Sequence, residues 1–165
     1  MCASCFTSLL EAIRTPRKNA IVCAMVFTNP SLGQICQMLR SIHTIAVVGL
    51  SPNPERPSFR VARAMQGYGF RIVPVRPLVE EVLGEQTYAD LESLPFKVDM
   101  VDVLRASEHV PTIVDSCIAL GIPHLWLQDG VIHEEAAQRA QAAGITVVMD
   151  RCILRDYSQL CGETI

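Results

Sequence analysis

The stretch that decides the fold is "VVGLSPNPERPSFRVA", residues 47–62. A β-branched apolar run stops at Gly49, a loop with Ser51, Asn53 and three prolines follows, and a helix start is read at Pro57. A strand that breaks on glycine just before a helix aims backbone N–H groups and the positive end of the helix dipole at one place. That arrangement suits a phosphate. The stretch therefore raises two questions: which phosphate compound it holds, and whether chemistry is done on it.

Outward from this loop the pattern is regular. Apolar runs rich in β-branched residues occur at Ile45–Val48, Phe70–Val75, Val98–Val103, Leu125–Leu127 and Ile145–Met149, with helical patterns between most of them. One helix carries Val110, Ile113, Val114, Cys117 and Ile118 on a single stripe, with Ser107 as its expected cap and Gly121 just past its end. Another runs from about His133 to Ala143 and closes at Gly144. Before the first strand, Ser31 opens a helix whose face is Leu32, Ile35, Met38 and Leu39. Between the second and third strands only a short helix around Ala89–Leu94 is expected. Short apolar strands alternating with helices predict a Rossmann-like, doubly wound, five-stranded parallel sheet with helices on both faces. Its simplest order is 3-2-1-4-5, which puts the ligand crevice between strands 1 and 4, at the loops Gly49–Pro57 and Gln128–His133.

Length and charge narrow the function. The 165 residues suit one domain of about 28–165, preceded by an extension, 1–27, that shows no clean periodicity and is expected to be disordered or outside the domain. The net charge of −3 argues against a nucleic-acid partner. No apolar run approaches the ~20 residues of a membrane span. Seven cysteines, an odd number without a framework, read as reduced thiols of a cytoplasmic protein. Cys2 and Cys5 have C-x-x-C spacing but no second pair, so no metal site is expected.

The dinucleotide fingerprint is missing. Only Gly49 fits its glycine pattern, Ser51 and Pro54 stand where further glycines belong, and Arg76 replaces the acid expected after strand 2. NADP survives as an alternative, because an arginine there could meet a 2′-phosphate, and with it an NADP-dependent reductase or other nucleotide enzyme. No G-K-[ST] Walker sequence occurs. Residues 56–76 nevertheless hold five arginines (Arg56, Arg60, Arg63, Arg71 and Arg76) and no acid. Guanidinium forks suit phosphate, whereas the plainer reading is a helix whose arginines face water.

"IAVVGLSPNPERPSFRVARAMQGYGFRIVPVRP", "VDMVDVLRASEHVP" and "LWLQDGVIHEEAAQRAQAAGITVVMDRC" together resemble the small single-domain CoA-binding proteins. These are similar to the N-terminal CoA-binding domain of the succinyl-CoA synthetase α subunit. The resemblance covers about residues 28–161 and implies coenzyme A or an acyl-CoA as ligand. Carried across, it implies that Gly49, Ser51, Asn53, Pro57 and Ser58, with Arg56 beside them, hold the phosphates. Val75 and Arg76 would neighbour the adenosine part, Val103 and Arg105 would end strand 3, and Trp126, Gln128 and Gly130 would lie at the end of strand 4. The family usually has Asn at position 76, so Arg76 is a departure.

No catalytic constellation stands out. The synthetases use a phosphohistidine on a separate domain, for which these 165 residues leave no room. His43, His109 and His124 have no evident nucleophile or metal partner, and His133 alone is expected near the crevice. Cys152, beside Arg151, is a candidate reactive thiol or a buried one. Asp102 is an inward carboxylate with nothing to complete an acid/base pair. The sequence therefore points to a non-catalytic CoA-binding module, a carrier or sensor, with the protein partner unknown and a homodimer left open.

Overall fold

The computed structural model describes residues 26–161. The expected extension over 1–27 lies almost wholly outside the described residues, as do Cys2, Cys5 and Cys23. Helix α1 (Leu32–Ser41) starts in a capping box, in which the Ser31 hydroxyl accepts from Gln34 N and the Gln34 side chain accepts from Ser31 N. Then come β1 (Thr44–Val48), α2 (Pro57–Gly67) and β2 (Arg71–Val75), followed by a small antiparallel hairpin of β3 (Glu81–Val82) and β4 (Glu85–Gln86). Strand β5 (Met100–Val103) leads through a 3₁₀ turn, Ser107–His109, into α3 (Val110–Leu120). The chain closes with β6 (His124–Leu127), α4 (Glu134–Ala142), β7 (Thr146–Val148) and α5 (Ile153–Asp156), which widens into one π-turn at Tyr157–Cys161.

The five long strands are all parallel. Because alternate side chains point to opposite faces, each strand contributes to two cores. Ala46, Val48, Val73, Val75, Val101, Val103, Leu125, Leu127 and Val147 meet the apolar stripes of α3 and α4. Ile45, Val47, Ile72, Met100, Trp126 and Val148 meet α1, α2 and α5 on the other side. Fully burying a Val, Leu or Ile side chain is worth about 1.5–3 kcal/mol, so two continuous cores hold the sheet from both faces. This is the doubly wound Rossmann-like class that the sequence predicts.

The strand order is different. The sheet runs β2-β1-β5-β6-β7, so β5 lies beside β1 and β2 is an edge. The expected order 3-2-1-4-5 is therefore replaced by 2-1-3-4-5. Pro74 gives the physical reason. A proline has no N–H for a ladder and is confined to edges. The Pro74 carbonyl accepts from Tyr88 N at 3.0 Å, and Arg76 N donates to the Tyr88 carbonyl at 2.7 Å. Pro74 and Arg76 thus face outward, while the Val75 carbonyl turns inward to Gly49 N at 3.0 Å. The chain covers the β2 edge with one residue and returns over β1. The short helix expected around Ala89–Leu94 does not form; Ser93 N donates to Asp90 Oδ1 at 2.8 Å, closing a side-chain turn instead.

At the other edge, β7 is three residues long, and a side chain completes it. Asn29 Nδ2 donates to the Met149 carbonyl at 2.9 Å, and Met149 N donates to Asn29 Oδ1 at 2.7 Å. The carboxamide stands where a neighbouring peptide group would.

Candidate functional site

With β5 next to β1, the connections leave in opposite directions between these two strands, and the crevice opens at their carboxyl ends. The loops that flank it are the β1–α2 loop, as expected, and the β5–α3 loop, in place of Gln128–His133. A cavity of about 510 Å³ lies there, lined by Gly49, Val75, Arg76, Pro77, Leu78, Leu104, Arg105, Ala106 and His109. A smaller one of about 250 Å³ adjoins it through Val75, Pro77 and Arg105 and reaches Leu91, Thr112 and Ile113. A slightly larger cavity, about 550 Å³, sits at the opposite end of β5 and β6, between Phe96–Asp99 and Leu120–Pro123. It faces the carbonyl end of α3, which repels anions.

Gly49 is held open by its neighbours. Its φ is +91°, and a Cβ there would lie 2.5 Å from Arg105 Cγ and 2.9 Å from the Leu104 carbonyl oxygen. The glycine therefore lets the β5–α3 loop pass against the β1 turn, quite apart from any ligand. Beyond it the loop bonds to itself. Ser51 N donates to Ser58 Oγ (3.2 Å), Asn53 N to Ser51 Oγ (3.2 Å) and Glu55 N to Asn53 Oδ1 (2.9 Å). Pro57 takes a first-turn position of α2, and the Arg56 side chain gives that helix no cap.

The arginines divide. Arg76 lines the cavity and donates from Nη1 to the Leu50 carbonyl at 3.3 Å. Arg105 lines it from the other side and donates from Nη2 to His109 Nε2 at 3.3 Å. Among the described residues neither has a carboxylate partner. Arg71 stands at the opposite end of β2 over the Phe96 ring, 4.2 Å from its centroid, and Arg60 and Arg63 are exposed along α2. Only Arg76 of the cluster enters the crevice.

Of the expected site residues, Gly49, Val75, Arg76 and Arg105 meet in the cavity, with Ser51, Asn53, Arg56, Pro57 and Ser58 in the loop above. Val103 and Trp126 have no exposed surface; the Trp126 indole donates to the Arg151 carbonyl at 2.7 Å inside the core. Gln128 is buried too, and Gly130 N binds Asp150 Oδ1 at 2.8 Å on the β6–α4 loop. These four are not brought to the cavity. Pro77, Leu78, Leu104, Ala106 and His109 are cavity residues that sequence reasoning missed. Pro74 was the signal, because an edge β2 moves the crevice from β6 to β5.

The remaining candidates are occupied otherwise. His133 Nδ1 accepts from Ala136 N at 3.2 Å and caps α4. Ser107 does not cap α3; its hydroxyl accepts from Ile132 N at 2.9 Å, and His109 takes the cap position. Burial lowers the His124 pKa. Arg151 beside Cys152 is bound by Asp156, with Nη2 donating to Oδ1 at 3.0 Å. Asp102 is buried on the α2 side of β5, and burial pushes its carboxyl up to about 7, against the hydrogen bond from Gln128. No group of three metal-ligating side chains occurs among the described residues, and no helix there is long and apolar enough to cross a membrane.

The chain is similar to several known proteins. Residues 43–158 match the family described as "CoA binding domain". A Bacillus subtilis (strain 168) protein named "Uncharacterized protein YneT" is 40% identical over 125 residues, 76% of this chain and 93% of that one. A solved "hypothetical protein from Pyrococcus horikoshii OT3" superposes with a TM-score of 0.78 at 32% identity, over 84% of this chain and all of that one. The Archaeoglobus fulgidus acetate–CoA ligase (ADP-forming) II is 26% identical over 100 residues, 59% of this chain but 15% of the ligase.

Proposed function

The chain belongs to the CoA-binding domain family, and from that premise we propose that it holds coenzyme A or an acyl-CoA, without catalysis, in the crevice between β1 and β5. The observation that carries this reading is the pair Arg76 and Arg105. Two guanidinium groups without carboxylate partners among the described residues flank Gly49 in one cavity, where phosphate oxygens would satisfy both. The β1–α2 loop adds the side chains of Ser51, Asn53, Arg56 and Ser58 and the uncapped start of α2 at Pro57. Val75 and Pro77 offer apolar contact in the adjoining chamber. Val103, Trp126, Gln128 and Gly130 support the crevice from the core and the next loop. The ligase from Archaeoglobus fulgidus names CoA as its substrate, which fits this ligand class.

The absence of catalysis is argued from the cavity lining. His109 is its one imidazole; Arg105 meets its Nε2 at 3.3 Å, while the exposed Glu108 stays at 3.6 Å, beyond hydrogen-bond distance, so no hydrogen-bonded acid/base couple faces the cavity. A carrier or sensor needs only the binding site. Native mass spectrometry of the purified protein should find retained CoA, and calorimetry should give tighter binding of CoA than of NADH or NADPH. Tighter binding of a nicotinamide cofactor would overturn the reading.

A further inference from the structure

His109 Nε2 lies between two groups of opposite demand. On one side is Arg105 Nη2 at 3.3 Å; a guanidinium has no acceptor, so this contact requires an unprotonated Nε2 and places the ring hydrogen on Nδ1. On the other side is Glu108 Oε1 at 3.6 Å, too far for a hydrogen bond, a carboxylate whose charge favours the protonated ring. Once protonated, Nε2 can no longer accept from Arg105. The neutral ring holds Arg105; the charged ring repels it and turns to Glu108.

We propose that His109 is a proton-driven latch on Arg105: unprotonated, it parks the guanidinium, and on taking a proton from solvent it releases Arg105 to an anion in the cavity. The inference rests on the reading of the crevice as a CoA site and assigns to that site a regulation by pH. The charged groups facing the imidazole are Glu108 on its own turn, Arg105 from the β5–α3 loop and Arg76 across the cavity. Without ligand, two guanidinium groups oppose a third positive charge. A bound phosphate reverses that balance, so protonation and anion binding favour one another.

Calorimetry with CoA and dephospho-CoA in two buffers of different ionisation enthalpy, from pH 5.5 to 8.5, tests this. Dephospho-CoA is needed because it lacks the 3′-phosphate, whose own titration would otherwise contribute. The wild type should take up at most about half a proton per ligand near neutral pH, with affinity rising about tenfold between pH 8 and pH 6. His109→Gln keeps an acceptor for Arg105 but cannot titrate, and His109→Asn is a second such variant; both should bind with no proton uptake and a flat dephospho-CoA profile. The side chain is 41% exposed, so both should melt as the wild type does. Glu108→Gln should move the wild-type profile to lower pH. Equal uptake in wild type and His109→Gln would overturn the latch alone. No heat from CoA with the wild type at any pH would overturn the binding reading and the latch with it.

Discussion

The Gln128 carboxamide joins β5 to the C-terminal helix: its Nε2 donates to both oxygens of Asp102, at 2.9 and 3.0 Å, and its Oε1 accepts from Ile153 N at 3.3 Å. Among the described residues no cation reaches Asp102, so a buried carboxylate depends on one neutral amide. Its folded-state pKa of about 7 lies above the ordinary 3.8, so the folded protein binds that proton more tightly than the unfolded chain. The stabilisation is complete below about 4 and is lost as pH rises from about 4 to about 7, a swing of up to about 4 kcal/mol. Asp102→Asn should remove it. Melting temperatures from pH 4 to 9 should show wild type losing ground to the variant up to about pH 7 and no further. Parallel curves would refute the assignment.

Gly49→Ala should cost both stability and ligand. A side chain at φ +91° is strained, and its Cβ would collide with Arg105 Cγ and the Leu104 carbonyl. Denaturant unfolding should report a loss of at least about 2 kcal/mol, and calorimetry should find CoA affinity greatly reduced because Arg105 is displaced. A stable variant that binds normally would mean that the two loops give way freely.

Arg76→Met and Arg105→Met should each weaken CoA binding by about 1–3 kcal/mol while leaving the melting temperature in place. Arg63→Met, on the exposed side of α2, should change neither. Arg56 stands outside the cavity lining, so Arg56→Met should have a smaller effect than either cavity substitution. Equal losses at all four positions would indicate a general electrostatic attraction in place of a defined site.

Trp126 is the single tryptophan, with no exposed surface. Its fluorescence should therefore stay constant on saturation with CoA and shift to the red only on unfolding. Trp126→Phe leaves a void and an unpaired Arg151 carbonyl, and should cost about 2–3 kcal/mol by denaturant unfolding. Direct quenching by CoA would bring the ligand closer to β6 than the cavity does.

The class of fold was legible because residues such as Ile45–Val48 and Leu125–Leu127 are continuously apolar, as strands covered on both faces must be. Gly121, at φ 66°, ends α3 where the periodicity stops. Strand order was less legible, since residues 76–99 contain no crossover helix to show where the chain goes, and Pro74 carries the edge information in one missing hydrogen. The same gap hid His109 and Leu104, which become crevice residues only once β5 is beside β1. Gly49, Val75, Arg76 and Arg105 could be found because each sits at the carboxyl end of its strand or within two residues of it, wherever that strand lies. The loop pattern does not announce a second demand at Gly49, where Arg105 and the Leu104 carbonyl leave no room for a side chain.

Open sheet edges invite strands from other molecules, because each displays a row of unpaired donors and acceptors. Here the Tyr88 peptide sits on β2, where Pro74 offers no donor, and the Asn29 carboxamide sits on β7. Each border is therefore blocked at one peptide group against the addition of a further strand. An aggregation-prone variant is to be sought first among substitutions of Pro74 and Asn29.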